Sequence, residues 1–137
     1  MIVDTSALVA IVLVESGWQE LLDAVASSNC TIPAPVLTEL QLTTGKRQPR
    51  IAESAATLIE RLMVAGATVA PFGHHHTSLT SDARVRFGKG NGSGGKLNFG
   101  DLMVYAIAKD RGEPLLCTGR DFASTDLAIH PASRLDP

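Results

Sequence analysis

Aromatic residues are scarce in this chain of 137 residues: they make up 4% of it, with a single Trp and a single Tyr. The interior must therefore be built from Ala, Val, Leu and Ile. Cysteine is nearly absent. Cys30 and Cys117 each sit in an apolar context and read as buried thiols. That excludes a disulfide framework and favours a reducing compartment. No apolar run approaches the ~20 residues that a membrane span needs. The apolar N-terminus lacks a basic leader, carries Asp4 and is interrupted by Glu15, so it does not read as a secretory signal. A cytoplasmic protein with no membrane association is expected. An excess of one charge is missing as well: 12 basic against 14 acidic residues give a net charge of −2. That total does not advertise a polyanion partner, although a total hides local patches. What is present is an ordinary globular balance, 45% apolar and 19% charged. The length suits one domain, residues 1–137, with a real core.

Met1-Ile2-Val3 reads as a short buried strand, followed at once by Asp4. Ala7 to Val14 is apolar and helical in pattern, and Ser16-Gly17 interrupts it. Trp18, Leu21, Leu22, Val25 and Ala26 recur at helical spacing until Ser27 to Asn29. Cys30 to Ile32 is a second strand. Pro33 and Pro35 precede a helix from Val36 to about Thr44, since proline suits a first turn. A basic connector, Lys46 to Arg50, leads to a helix over Ile51 to Ala65 and a third strand over Ala67 to Pro71. His74 to Arg86 patterns weakly as a helix, and Phe87 to Leu97, with five glycines, as a loop. A strong helix opens at Asn98 and stops at Gly112. Leu115 to Thr118 is a fourth strand, 119–122 a turn, and Leu127 to Ile129 a last strand. Strands alternating with helices predict an α/β domain: a mostly parallel central sheet with helices on both faces.

Two motifs mislead. Gly90, Gly92 and Gly95 satisfy G-x-G-x-x-G, and Gly90 to Lys96 satisfies G-x-x-x-x-G-K. Both phosphate loops need a preceding strand, and this one follows a helix; Leu97 also stands where the second needs Ser or Thr. A connector is the better reading. His74-His75-His76 resembles a metal tract, but neighbours on a helix point different ways, so a solvated helix start is favoured.

Four acids stand where surface charge is not expected. Asp4 ends the first strand. Glu39 lies beside Leu40 at the border of a buried stripe. Asp101 is in the first turn of the most apolar helix, and Asp121 follows the fourth strand and its glycine turn. Singly, each has a plain explanation: a helix cap, an edge residue, a partner of Asn98 in a capping arrangement, a turn aspartate. Jointly, strand ends and helix starts of a parallel sheet can converge on one rim. Carboxylates crowded there repel unless a cation neutralises them or a proton is shared. Carboxylates without thiolates select Mg²⁺ or Mn²⁺, which can activate water and stabilise phosphoryl charge. Phosphodiester hydrolysis is then the natural chemistry.

Met1 to Leu8, the Glu39 helix, Leu97-Asn98-Phe99-Gly100-Asp101 and Leu115-Leu116-Cys117-Thr118-Gly119-Arg120-Asp121-Phe122 together resemble the PIN domain, in particular VapC-type toxin ribonucleases, in order and spacing across nearly the whole chain. The resemblance implies a Mg²⁺- or Mn²⁺-dependent endoribonuclease, a homodimer, held inactive by a VapB-type antitoxin. It implies Asp4 and Asp101 as metal ligands, with Glu39 and Asp121 as the second and fourth acids. Asp126 stands close behind as the alternative fourth acid. Ser6 and Thr118 would orient carboxylates or waters, leaving Thr5 and Ser6 to take over the capping of the first helix.

Lys46, Arg47 and Arg50, and Lys89 and Lys96 at the glycine loop, are candidate RNA contacts, with solvated faces as the alternative. Two competing readings remain. One is a phosphatase with Asp4 as nucleophile, which the haloacid-dehalogenase pattern disfavours because Ser6 stands where a second acid is wanted. The other is a catalytically silent PIN-like module that only binds RNA or a partner.

Overall fold

The buried opening residues form the middle of a parallel sheet. In the computed structural model, which describes residues 1–136, β1 (Ile2–Val3) pairs on one side with β2 (Thr31–Pro33) and on the other with β4 (Leu115–Leu116). β3 (Thr68–Ala70) extends the β2 side, giving the order β3-β2-β1-β4, with every pairing parallel. Ile2 lies opposite both Thr31 and Leu115, and Val3 opposite Leu116. A strand buried on both faces needs an unbroken apolar run, and Ile2, Val3, Ile32, Leu115 and Leu116 are fully buried.

Six helices flank this sheet: α1 (Thr5–Val12), α2 (Trp18–Ser27), α3 (Ala34–Gly45), α4 (Pro49–Val64), α5 (His76–Phe87) and α6 (Phe99–Arg111). α1 packs on α2, α3 and α4, while α6 packs on α3 and α5. α6 is the most enclosed, with Leu102 and Val104 to Ala108 all buried. The stripe Leu21, Ala24 and Val25 of α2 also turns inward to the core. Because β1 to β3 step outward on one side and β4 returns on the other, the order of winding reverses between β1 and β4. The crevice at the carboxyl ends of two such strands is where open α/β sheets bind ligands.

The last strand differs from expectation. Leu127 to Ile129 does not form a regular strand; instead the tail follows β4 through two isolated parallel bridges, Leu115 with Ile129 and Thr118 with Arg134. Between them the tail carries two more residues than β4, around Pro131, which has no amide hydrogen to donate. Ser133 fills the gap with its side chain. Its Oγ accepts the Cys117 amide at 3.1 Å and donates to the Leu115 carbonyl at 3.1 Å. Beyond it the Gly119 amide donates to the Arg134 carbonyl at 2.7 Å.

α1 also ends earlier than the apolar run implied. The Val14 amide donates to Ile11 O and the Glu15 amide to Ala10 O, the Schellman pattern that closes a helix. That pattern needs a left-handed residue. Gly66 and Gly112 serve after α4 and α6 with φ of 104° and 61°, but Val14 adopts φ 56° with a β-branched side chain. An L residue there costs about 1–2 kcal/mol, and Val14 is 63% exposed, so packing does not repay it. We expect Val14→Gly to stabilise the protein by about 0.5–1 kcal/mol, after allowing for the larger unfolded-state entropy of glycine. A urea midpoint that falls would show that the valine is held there by contacts that outweigh the strain.

Candidate active site

The crevice between β1 and β4 collects all four acids. Asp4 leaves β1 and caps α1: its Oδ2 accepts the Ser6 amide at 3.0 Å and also the Ser6 hydroxyl. Ser6 Oγ in turn accepts the Thr118 amide at 3.0 Å. A hydrogen-bonded chain therefore runs from the end of β4 through Ser6 to the end of β1. The expectation that Thr5 and Ser6 relieve Asp4 of capping is corrected here. A carboxylate can accept several bonds on its two oxygens, so Asp4 caps the helix while remaining in the pocket. Thr5 instead serves Glu39, donating its hydroxyl to Oε2 at 2.6 Å.

Asp101 is fixed by α6 itself. Asn98 caps the helix, and a reciprocal capping box links the Asp101 amide to Asn98 Oδ1 at 2.9 Å and the Asn98 amide to Asp101 Oδ2 at 2.8 Å. Gly100 brings this first turn against α3: a Cβ there would lie 3.5 Å from Glu39 Oε2. Asp121 stands on the exposed turn after Gly119, whose φ of 79° lets the chain leave β4 sharply. Asp4, Glu39, Asp101 and Asp121 line one cavity of about 250 Å³, together with Thr5, Ser6, Thr43, Asn98 and Thr118.

The electrostatics of this cavity are unfavourable without a counter-charge. Burial raises the pKa of Asp4 against the opposing Ser6 hydrogen bonds, and Glu39 raises it further. Burial also pushes Asp101 up to about 7 despite its bond from Asn98, and the charges of Asp4, Asp121 and Glu39 add to the rise. The Cys117 thiol is pushed to about 12 by burial and then by Asp4, so it offers no thiolate. Two buried carboxylates repelled by two more at the same cavity, among hydroxyls and with no soft donor, fit a hard divalent cation.

The remaining candidates separate. Asp126 does not reach this cavity. It accepts from the Tyr105 hydroxyl at 2.6 Å, Lys109 Nζ at 3.0 Å and Arg86 Nη2 at 3.1 Å, and these bonds, Tyr105 first, hold its carboxyl down at about 2. A carboxylate saturated by two cations and a phenol is a structural anchor, not a free ligand. Lys46 and Arg47 are exposed just past α3, and neither lines the acidic cavity. Arg50 lines a different groove, with Leu22, Leu58 and Arg61. Lys89 lines a cavity that shares Asn98 with the acidic one, and Lys96 is exposed in the loop.

His74 and His75 are exposed, as a solvated helix start requires, but His76 is not. His76 is 3% exposed, and His75, His76 and Asp110 bring their ligand atoms within 4.8 Å of one another. The Gly73 amide donates to His76 Nδ1 at 2.9 Å, so a neutral ring carries its proton on Nε2, which faces Asp110 Oδ2 at 3.3 Å. Its one lone pair is spent on the backbone, and the triad reads as a clasp joining α5 to α6. What sequence reasoning missed was Thr43 and the Thr5–Glu39 bond; a hydroxyl directly after a pocket acid was the available signal.

A model of the PIN domain matches residues 1–127. The chain belongs to the PIN domain family. Its relatives there are VapC ribonucleases: it is 41% identical over 135 residues to Ribonuclease VapC42 of Mycobacterium tuberculosis, covering 96% of this chain and 98% of that protein. The fold matches the crystal structure of VapC20 of M. tuberculosis, described as a Sarcin-Ricin loop cleaving toxin, with a TM-score of 0.73 at 15% identity over 93% of this chain and 95% of that one. It also matches VapBC2 of Rickettsia felis, bound to a DNA fragment from its promoter, with a TM-score of 0.65 at 18% identity over 98% of this chain and 96% of that one.

The raised Asp101 makes a prediction for the cation-free protein. Its carboxyl holds a proton up to about 7 when folded and up to 3.8 when unfolded. Between those values the folded state binds more protons, so its contribution to stability is complete at low pH and is lost as pH rises through the folded value. In EDTA, wild type should lose Tm relative to Asp101→Asn as pH rises across that window; parallel profiles would refute the buried, repelled carboxyl.

Proposed function

We propose that the protein is a divalent-metal-dependent endoribonuclease that hydrolyses RNA phosphodiester bonds, the toxin of a VapBC-type pair. The observation that carries the reading is the convergence of Asp4, Glu39, Asp101 and Asp121 on one small cavity at the switch between β1 and β4. The VapC relatives and the PIN fold support it.

Asp4 and Asp101, the two buried acids, would hold the ion, and Mg²⁺ or Mn²⁺ suits their all-oxygen donor set. A bound divalent ion supplies a lowered water pKa and charge stabilisation at phosphorus. The chain's own residues do the positioning. Ser6 fixes Asp4 against the Thr118 amide, Thr5 fixes Glu39, and Asn98 fixes Asp101. Glu39 and Asp121 complete the cavity and would accept the proton of an attacking water. Lys46 and Arg47 beside α3, and Lys89 and Lys96 at the loop, hold phosphates on either side, which makes binding salt-dependent. Arg50, in its separate groove, has less to support this role.

By analogy with the VapBC neighbour, we assign the protein a VapB-type antitoxin partner; a homodimeric state is what the VapC resemblance implies. Among the described residues no helix is long and apolar enough to cross a membrane, which accords with a cytoplasmic toxin. The silent-module reading predicts binding without cleavage, but the acids it would be free to lose are all in place.

Two measurements separate these readings. With Mg²⁺ or Mn²⁺ the free protein should cut RNA, and either EDTA or Asp4→Asn should abolish cutting. Cleavage that survives both would sink the metal–carboxylate mechanism, and binding with no cleavage in any divalent ion would favour the silent module. Ser6→Ala should cost about 10- to 100-fold in activity, the usual loss when a residue orienting a ligand is removed; activity within twofold of wild type, about 0.4 kcal/mol, would remove Ser6 from the mechanism.

A further inference from the structure

The cavity beside the acids is larger than the acidic one and has no role in the chemistry so far. It measures about 730 Å³ and lies between α5 and α6. Asn98, the residue that caps α6 over Asp101, lines both cavities, so the two adjoin at that residue. Phe99, the next residue, is 79% exposed. An exposed phenylalanine at a helix start, two residues from a buried pocket acid, is poorly used as packing. Phe72, Leu102 and Met103 make the rest of the apolar wall.

The opposite wall is polar and basic. Thr80, Ser81 and Arg84 come from one face of α5, and Lys89 from the start of the glycine loop. Among the described residues the ion pairs of this region fall on Arg86 and Lys109, not on Arg84 or Lys89. An aromatic platform with free cations at the lip is the recurring arrangement for an unpaired base of single-stranded nucleic acid, which stacks on the ring while its phosphate meets the cations. A second copy of this chain would also cover apolar surface, but it would have to bury Arg84 and Lys89 against a matching acidic patch.

We propose that this cavity is a nucleobase subsite: a base flanking the cleaved bond leaves the RNA stack and lies on Phe99, with Arg84 and Lys89 holding the adjoining phosphate. The proposal rests on the ribonuclease reading and adds to it a specificity-determining residue, Phe99. Asn98 sets the spacing. Because it borders both cavities, a base on Phe99 lies beside the acidic cavity, and the stack contributes binding to the strand next to the cleaved bond.

The test compares a short single-stranded RNA of mixed sequence with copies carrying one abasic nucleotide at each position around the cut. Binding is read by fluorescence anisotropy in the non-cleaving Asp4→Asn background, and KM and kcat are read in the wild-type background. We expect Phe99→Ala to raise Kd and KM about tenfold with kcat nearly unchanged, the order of one lost base–aromatic stack, and Phe99→Trp to restore both. One abasic position should cost the parent protein a similar factor and cost the Phe99→Ala protein nothing further. If every abasic position costs both proteins equally, no base lies on Phe99. If Phe99→Ala changes the oligomeric state in gel filtration while Kd stays the same, the surface belongs to a second copy. Should the protein cut no RNA at all, the ribonuclease reading fails separately, and the anisotropy comparison still decides the subsite.

Discussion

Repulsion among carboxylates at the ends of β1 and β4 is the constraint on which the rest of the site depends. Asp4 and Asp101 are 4% and 8% exposed, and each feels Glu39. A fold relieves such crowding by separating the groups, keeping a proton, or binding a cation. Separation is prevented here, because each acid is tied to an element the core holds in place. Asp4 caps α1 at the end of a fully buried strand, and Asp101 is locked into the first turn of the most enclosed helix. The cavity is thus prepared for a positive charge by the same hydrogen bonds that end β1 and start α6.

Asp121 is held less directly. Its turn is anchored on both sides: at Gly119 by the tail, through the bond to Arg134 O, and at Asp126 by Tyr105, Arg86 and Lys109. The second anchor reaches α5 as well as α6, since Arg86 also lies over the Phe87 ring at 4.5 Å. The loop base is tied in at the same place, where Asn91 donates to the carbonyls of Val85 and Arg86. The acidic turn and the basic loop therefore rest on one shared support.

Much of this was legible in the sequence. The opening strand, the stop glycines Gly66 and Gly112, and the capping pair Asn98 and Asp101 are local signals, and they carried the α/β architecture and two of the four acids. Glu39 and Asp121 stood out by position, but their pairing with Asp4 and Asp101 was legible chiefly through the resemblance, because neither a helix face nor a turn says what lies opposite it. Asp126 could not be separated from Asp121 in sequence: the difference is made by Arg86 and Tyr105, which approach from 40 and 21 residues away. The end of α1 was misread because Val14 continues an apolar run while its backbone has already turned left-handed. The tail was misread because Ser133 completes the pairing with a side chain, which no alternation of apolar and polar residues encodes.

The central claim is that the crowded acids form a cation site, and proton release on binding tests it most directly. Mn²⁺ should be titrated calorimetrically into metal-free protein, in buffers of different ionisation enthalpy, on both sides of the Asp101 value of about 7. The account predicts more proton release per ion well below that value than well above it, with binding lost in Asp4→Asn. Binding that releases no proton at either pH, or that persists in Asp4→Asn, would contradict it.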